Sequence, residues 1–415
     1  MSQEIITFGC RLNTYESEVI KGVLQKSQQQ NVIVFNTCAV TKEAERQAMQ
    51  AIRKARRNNP DKKIVVTGCA AQINPAKYTA MPEVDQVLGN QEKLVAKNYL
   101  SISNNERVKV NDIMSITDTA VHMVDSFDGK TRAFIQIQNG CNHRCTFCII
   151  PYGRGNSRSV AIGAIVEQVK LLVKQSFREI VLTGVDITDY GLDLPGKPTL
   201  GQMIKRLLIL VPDLPRLRLS SIDVAEIDDG LFELIVNEPR LMPHIHISLQ
   251  SGDNLILKRM KRRHTRENVI EFCQRVRSRR PEVTFGADII AGFPTETDEM
   301  FNNTLRLINE AGIQYVHTFT FSEREGTPAA RMPQVDLPIR KKRARLLREA
   351  GQNELDLFIK CNLNKLYQVI IEQNNFGHTE NFLKVQFQQK LEPGIIVAAR
   401  IISYDRGNLG AIVVN

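Results

Sequence analysis

Ala133-Phe-Ile-Gln-Ile-Gln138-Asn-Gly-Cys141-Asn-His-Arg-Cys145-Thr-Phe-Cys148 is a strand candidate running straight into three cysteines. The C-x3-C-x2-C spacing gathers three thiolates around one point and supplies no fourth. Iron–sulfur ligation is the expected use of such a run, and a [4Fe–4S] cube on three thiolates keeps one iron open for a substrate. Zinc is the rival. It takes four closed ligands, usually from C-x2-4-C pairs, and His143 inside the loop could complete its tetrahedron.

Working outward, six strand candidates lie between Ala133 and about Ser322, each followed by a helical pattern. They are Ala133–Gln138, Glu179–Thr183, Arg216–Ser220, His244–Leu249, Val283–Ile290 and Tyr315–Phe321. Six βα units suit a partial (β/α)6 TIM-like barrel, whose active face lies at the C-terminal strand ends, where the cysteine loop falls. Thr183-Gly184-Val185-Asp186, Ser220-Ser-Ile-Asp223, Ser248-Leu-Gln250-Ser-Gly252 and Gly292-Phe-Pro294 end other strands on that face. Glycines there also form turns. His244, His246 and His264 read as structural or surface residues, without metal-ligand spacing to another group. Cys273 in a helical pattern and Cys361 near a helix end read as bystanders.

Upstream the same alternation continues. Glu4–Phe8, Val32–Phe35 and Lys63–Thr67 are strand candidates, and they end in Gly9-Cys10, Asn36-Thr37-Cys38 and Gly68-Cys69. Asn13 with Glu16, and Thr41 with Glu43 and Glu45, read as N-caps of the intervening helices. This predicts a doubly wound parallel α/β domain whose carboxyl strand ends collect ligands. Cys10, Cys38 and Cys69 all fall on that edge, again as three thiolates without a fourth. One buried Cys is ordinarily a small hydrophobe; three at equivalent places favour a second cluster.

Downstream, Pro338 to about Ile359 is a basic helical stretch. The short runs Tyr367–Glu372, Leu383–Phe387, Ile395–Ile402 and Gly410–Val414 then suggest a small antiparallel β-barrel. The expected organisation of this α/β protein is thus 1–120, 127–360 and 361–415.

The 415 residues carry a net charge of +10, eight Cys and no Trp. Basic runs at Arg53–Arg57, Lys258–Arg263 and Arg340–Arg345 are each ordinary solvated helix faces, but together they tilt the reading toward nucleic acid. Met1–Cys10 is neither a signal nor a transit peptide, and no apolar run approaches a membrane span. The expected location is the cytoplasm, without a membrane partner, where reduced thiols serve metals or catalysis.

The cysteine loop resembles the signature of the radical S-adenosylmethionine (SAM) superfamily, in which an aromatic residue precedes the last Cys, as Phe147 does. With a three-Cys α/β domain ahead of it, the chain resembles the methylthiotransferases. The block Thr7-Phe-Gly-Cys-Arg-Leu-Asn-Thr-Tyr-Glu-Ser-Glu18 is similar to the branch acting on N6-threonylcarbamoyladenosine beside the tRNA anticodon. Sister branches act on isopentenyladenosine in tRNA and on an aspartate of a small-subunit ribosomal protein. They usually carry other residues where Arg11-Leu12 stand.

The resemblance implies two [4Fe–4S] clusters, a SAM-cleaving one on Cys141, Cys145 and Cys148 and an auxiliary one on Cys10, Cys38 and Cys69. It implies SAM beside Gly184 and Gln250, a methylthio product at C2 of the adenine, and a flavodoxin- or ferredoxin-type electron donor. The C-terminal barrel is similar to the RNA-binding TRAM domain, although its few aromatics and unremarkable charge also fit a stabilising cap. Arg154 and Arg158, just past the loop, could hold the SAM carboxylate or an RNA phosphate. Asn156 and Ser157 stand where the branch often has Pro and a basic residue. A rival of another class is a non-catalytic iron–sulfur RNA-binding protein; it would bind tRNA salt-dependently but yield no 5′-deoxyadenosine. A zinc-stabilised RNA-binding protein is a further rival.

Overall fold

The computed structural model describes residues 3–27, 31–100, 107–117, 131–405 and 407–414. The boundary expected at about 120–127 lies outside them.

Strands β1 (Glu4–Thr7), β2 (Val32–Thr37), β3 (Lys63–Gly68), β4 (Gln86–Leu88) and β5 (Val108–Lys109) form one parallel sheet in sequential order. β2 is buried along its whole length because both its faces are covered. Val32 and Val34 pack with Ile20 and Leu24 of α1 (Arg11–Lys26), whereas Ile33 and Phe35 pack with Ile52 and Ala55 of α2 (Lys42–Asn58). The strand order never reverses; the two-sided cover comes from α1 and α2 lying on opposite faces.

The sequence read Asn13 and Glu16 as a cap and its partner, which the structure corrects. α1 begins at Arg11, and Cys10 precedes it without a side-chain cap bond. Asn13 and Glu16 lie a turn inside the helix and are buried. Thr41 does cap α2, accepting from Ala44 N at 3.1 Å.

The central unit starts with β6 (Arg132–Gln136), followed by the small pair β7 (Gln138–Asn139) and β8 (Arg158–Ser159) around the cysteine loop. Then come β9 (Glu179–Thr183), β10 (Arg216–Leu219), β11 (His244–Gln250), β12 (Thr284–Ala291) and β13 (Tyr315–Thr320). β10-β9-β6 and β11-β12-β13 are parallel sheets, joined by the parallel bridges Leu217–Leu241 and Ile222–Ile247. Six strands therefore curve side by side as an incomplete barrel. Leu12, Tyr15 and Val19 of α1 enter the barrel's core beside Ala133, Ile135 and Leu182. At roughly 1.5–3 kcal/mol per buried large apolar side chain, these contacts fix the first sheet against β6.

A helix over Leu337–Lys360 leads to β14 (Leu366–Ile371), β15 (Phe376–His378), β16 (Lys384–Gln386), β17 (Ile396–Asp405) and β18 (Asn408–Val413). They close into a barrel in the order β14-β15-β16-β18-β17. Two details differ from expectation: β15 was not foreseen, and β16 meets β18 in parallel through Gln386 and Gly410. The turn after β15 covers the N-terminal mouth of the βα barrel. Phe382 stacks on His244 with centroids 4.6 Å apart, and Arg218 donates to the Thr379 and Glu380 carbonyls, both at 2.9 Å. The opposite mouth, with the cysteine loop, stays clear. Among the described residues no helix is long and apolar enough to cross a membrane.

Candidate active site

The parallel register of β1, β2 and β3 brings their carboxyl ends level, and each end delivers one cysteine. Gly9 and Gly68 make the turns possible, with φ of +93° and +96°. A Cβ on Gly9 would stand 2.7 Å from the Cys38 sulfur, so glycine is what lets the first two cysteine segments approach. Burial raises the thiol pKa of Cys10 and of Cys38, and the nearby Cys69 raises both further; Cys38 is pushed up to about 12. Thiols in this state must release protons to become metal ligands.

These three cysteines line a cavity of about 350 Å³ together with Phe147, Arg154, Gly184, Ser248 and Gln250. The cavity therefore spans the first sheet and the barrel mouth. Of the residues expected at SAM, Gly184 and Gln250 reach it. A Cβ on Gly184 would lie 2.8 Å from the Gln138 carbonyl oxygen. Gln138 also accepts from Val185 N and Asp186 N at 3.0 and 2.9 Å, tying this strand end to the one that begins the cysteine loop.

Arg154 differs from expectation. It is 2 % exposed and its guanidinium is already committed: Nε donates to Cys69 Sγ at 3.0 Å, and Nη2 to Asn13 Oδ1 at 2.5 Å and Glu16 at 2.9 Å, with Nη1 also on Glu16. No open fork remains for a free carboxylate or phosphate. Arg158 is likewise occupied, by the Arg154 and Asn156 carbonyls at 2.9 Å each. Lys93, fully buried, donates to Glu16 at 2.6 Å and Asn90 at 2.7 Å. Two buried cations thus face the single carboxylate of Glu16 beside Cys69. The uncompensated positive charge suits an anionic thiolate-bound group such as an iron–sulfur cluster.

In the second triplet burial raises the thiols of Cys141 and Cys148, and the nearby Cys145 adds to both; Cys148 is pushed to about 11. Cys141 Sγ lies 3.5 Å from Asp186, and Arg262 lies 3.8 Å from Cys145 Sγ. His143 does gather with Cys141 and Asp186 within 4.8 Å. Its Nε2 is held by Asp186 and Glu226, each at 3.1 Å, and these bonds raise its pKa to about 10. A protonated imidazole has no lone pair for zinc. Phe147 packs edge-on to Phe293, anchoring the loop.

Sequence reasoning missed one convergence. His246, Asp288 and His317 sit side by side on β11, β12 and β13, with donor atoms within 4.8 Å of one another. Strand register alone makes them neighbours. Of the histidines read as structural or surface residues, His244 and His264 are buried, and Cys273 packs in the barrel core. Within the basic runs, Arg56, Arg259, Arg262, Arg340 and Arg343 clamp neighbouring carbonyls and carboxylates. That part of the surplus charge is structural.

Comparison with known proteins agrees with this architecture. Residues 135–308 match the radical SAM superfamily and residues 3–89 match the uncharacterized protein family UPF0004. The chain is 61 % identical to the threonylcarbamoyladenosine tRNA methylthiotransferase MtaB of Rickettsia prowazekii, covering 100 % of this chain and 98 % of the relative. It is 37 % identical to the protein of the same name from Aquifex aeolicus, over 95 % of this chain and 98 % of the other. With the tRNA-2-methylthio-N(6)-dimethylallyladenosine synthase of Bacillus subtilis it shares 32 %, over 96 % and 82 %. Among solved structures, the radical SAM methyltransferase TsrM of Kitasatospora setae superposes with a TM-score of 0.56 at 15 % identity, over 77 % of this chain and 70 % of that one. This last likeness concerns the fold alone.

Proposed function

The chain belongs to the radical SAM methylthiotransferases, in their threonylcarbamoyladenosine tRNA branch, and from that premise we propose that it places a methylthio group on C2 of N6-threonylcarbamoyladenosine beside the anticodon. The family uses SAM and a [4Fe–4S] cluster on a tRNA substrate. The observation that carries the reading is one cavity shared by Cys10, Cys38 and Cys69 with Gly184 and Gln250, at the mouth that holds the Cys141 loop.

When bound, the cofactors would supply radical cleavage of SAM at Cys141, Cys145 and Cys148, and a sulfur for transfer at Cys10, Cys38 and Cys69. The chain's own residues hold and orient. Gly184 keeps its strand end free of a side chain, and Gln250 presents a polar group to the same space. Glu16 aims Arg154 at Cys69. The apolar lining from Phe147, Ile150, Ile290 and Phe321 limits water around a reactive species. The adenine must leave its stack to enter, which costs least in a single-stranded loop. A small flavodoxin- or ferredoxin-type protein is the proposed electron donor.

Nucleoside mass spectrometry of tRNA from cells lacking this protein tests the reading. Loss of 2-methylthio-N6-threonylcarbamoyladenosine, with its precursor accumulating, is the expected result. Persistence of that nucleoside while another methylthiolated product vanishes would overturn the substrate. In vitro, replacing Cys10, Cys38 and Cys69 with Ala should retain SAM cleavage and abolish methylthiolation.

A further inference from the structure

Among the described residues three aromatic rings line the cavity, and the fold already uses two of them. Phe147 and Phe321 both stand edge-on to Phe293, with centroids 6.4 and 5.6 Å away, and the Arg340 guanidinium lies over Phe321. Phe319 is different: among the described residues it enters no ring pair and no cation–π contact. It is 38 % exposed although it lies on the inner face of β13. Strand alternation fixes that face. Val316 packs outward against Gly351 of the helix over Leu337–Lys360, so His317, Phe319 and Phe321 point into the barrel.

Register sets what surrounds this ring. Ile290 of β12 is paired with Phe319 and also lines the cavity. One pair further down, Asp288 faces His317 and is bonded by His246 at 3.0 Å, so a polar layer underlies an apolar one. Val40, 47 % exposed, adds a second open apolar group to the lining. Its segment is fastened to the end of β13, because Lys42 N donates to Ser322 Oγ at 3.2 Å, and Val40 N lies 3.5 Å from Cys38 Sγ. Phe319 therefore belongs to the side of the cavity that adjoins Cys38. Gln250 is two strands away on β11, and Gly184 follows β9, further still.

We propose that Phe319 is the platform on which the target adenine stacks once it has left the anticodon loop. The inference rests on the function proposed above and adds the residue that positions the base. Proteins hold splayed-out RNA bases by stacking them on aromatic side chains. A ring with an open face replaces the neighbours that the base loses, which offsets the cost of unstacking. The location favours the target base over the adenine of SAM. The expected SAM residues stand on β9 and β11, whereas C2 of the target must come to the triplet that supplies sulfur. Stacking is indifferent to the N6 substituent, so Phe319 is a positioning residue that holds the base without choosing between modified adenosines.

The test is equilibrium binding of the reconstituted holoenzyme, as wild type, Phe319→Leu and Phe319→Tyr, to two anticodon stem-loops. One carries threonylcarbamoyladenosine at the target position and the other has no base there. Wild type should bind the complete stem-loop about 10- to 100-fold more tightly, as stacking of one base on one aromatic ring allows. Phe319→Leu should lose most of that preference while binding the abasic stem-loop as wild type does, and Phe319→Tyr should keep it. In turnover, Phe319→Leu should raise KM for the complete stem-loop by the same factor. Equal loss on both stem-loops would overturn the proposal in favour of a backbone contact or a fold defect. A raised KM for SAM with the preference intact would overturn it in favour of the adenine of SAM. An unchanged preference, or a wild type that binds both stem-loops alike, would overturn it outright. If wild type yields no methylthio product, the function proposed above fails while binding still decides the role of Phe319.

Discussion

Cys141, Cys145 and Cys148 occupy one loop of eight residues, whereas Cys10, Cys38 and Cys69 reach the neighbouring cavity from the ends of three parallel strands. The loop triplet is set by spacing along the chain and is anchored by Phe147 on Phe293 and by Thr146, whose hydroxyl donates to the Arg259 carbonyl at 2.8 Å. The strand-end triplet exists only when sheet register, two left-handed glycines and a buried charge network are all in place. That network reaches across the molecule: Arg154 comes from the segment just past the loop triplet, yet bonds to Cys69 of the other set. The lesson is that one site is a motif and the other is a product of the whole fold, so the two should fail under different mutations.

Glu16→Ala should separate them most sharply. It strands the buried Lys93 and Arg154 as like charges, which costs about 3–5 kcal/mol. Urea unfolding should show that loss, and anaerobic iron analysis should show depletion at the strand-end triplet first. Loss confined to the loop triplet would break the comparison.

Gly9→Ala comes next. At φ +93°, with its Cβ 2.7 Å from Cys38, the new side chain should cost about 2 kcal/mol and lower iron loading only where Cys10 and Cys38 contribute. The matching change on the other side is Phe147→Ala. It removes a half-buried ring from its edge contact and should cost between about 1 and 2 kcal/mol, with reduced SAM cleavage and an undisturbed strand-end triplet. Denaturation and cluster spectra of the two variants, compared side by side, check both.

The smallest effect concerns His143. Its pKa is raised to about 10 by Asp186 and Glu226, so its stabilisation is complete below the unfolded value near 6.5 and disappears as pH rises through about 10. Since the ring is partly exposed, the contribution should be about 1 kcal/mol. Urea midpoints of the metal-free protein between pH 7 and 10 should fall more in wild type than in His143→Gln.

Much of this was legible in the sequence, for identifiable reasons. Strand positions followed from apolar runs bounded by Gly and Asn, and the loop triplet from its spacing. Even the strand-end triplet could be inferred, because successive βα units repeat the same placement. What misled was Asn13-x-x-Glu16, which imitates a capping box ahead of an apolar run. Its true partners, Lys93 and Arg154, lie 77 and 138 residues further on, and no local pattern carries that information. The union of His246, Asp288 and His317 was hidden for the same reason, since only the register of β11, β12 and β13 makes them adjacent. β15, with three residues, is too short to show any period.

The most direct test of the account is iron and Mössbauer analysis of the chain with Cys141, Cys145 and Cys148 all replaced by Ala, purified and reconstituted without oxygen. The account predicts about four irons per chain with the spectrum of one [4Fe–4S] cluster, held by Cys10, Cys38 and Cys69. A chain that folds but binds no iron, or binds zinc instead, would contradict it.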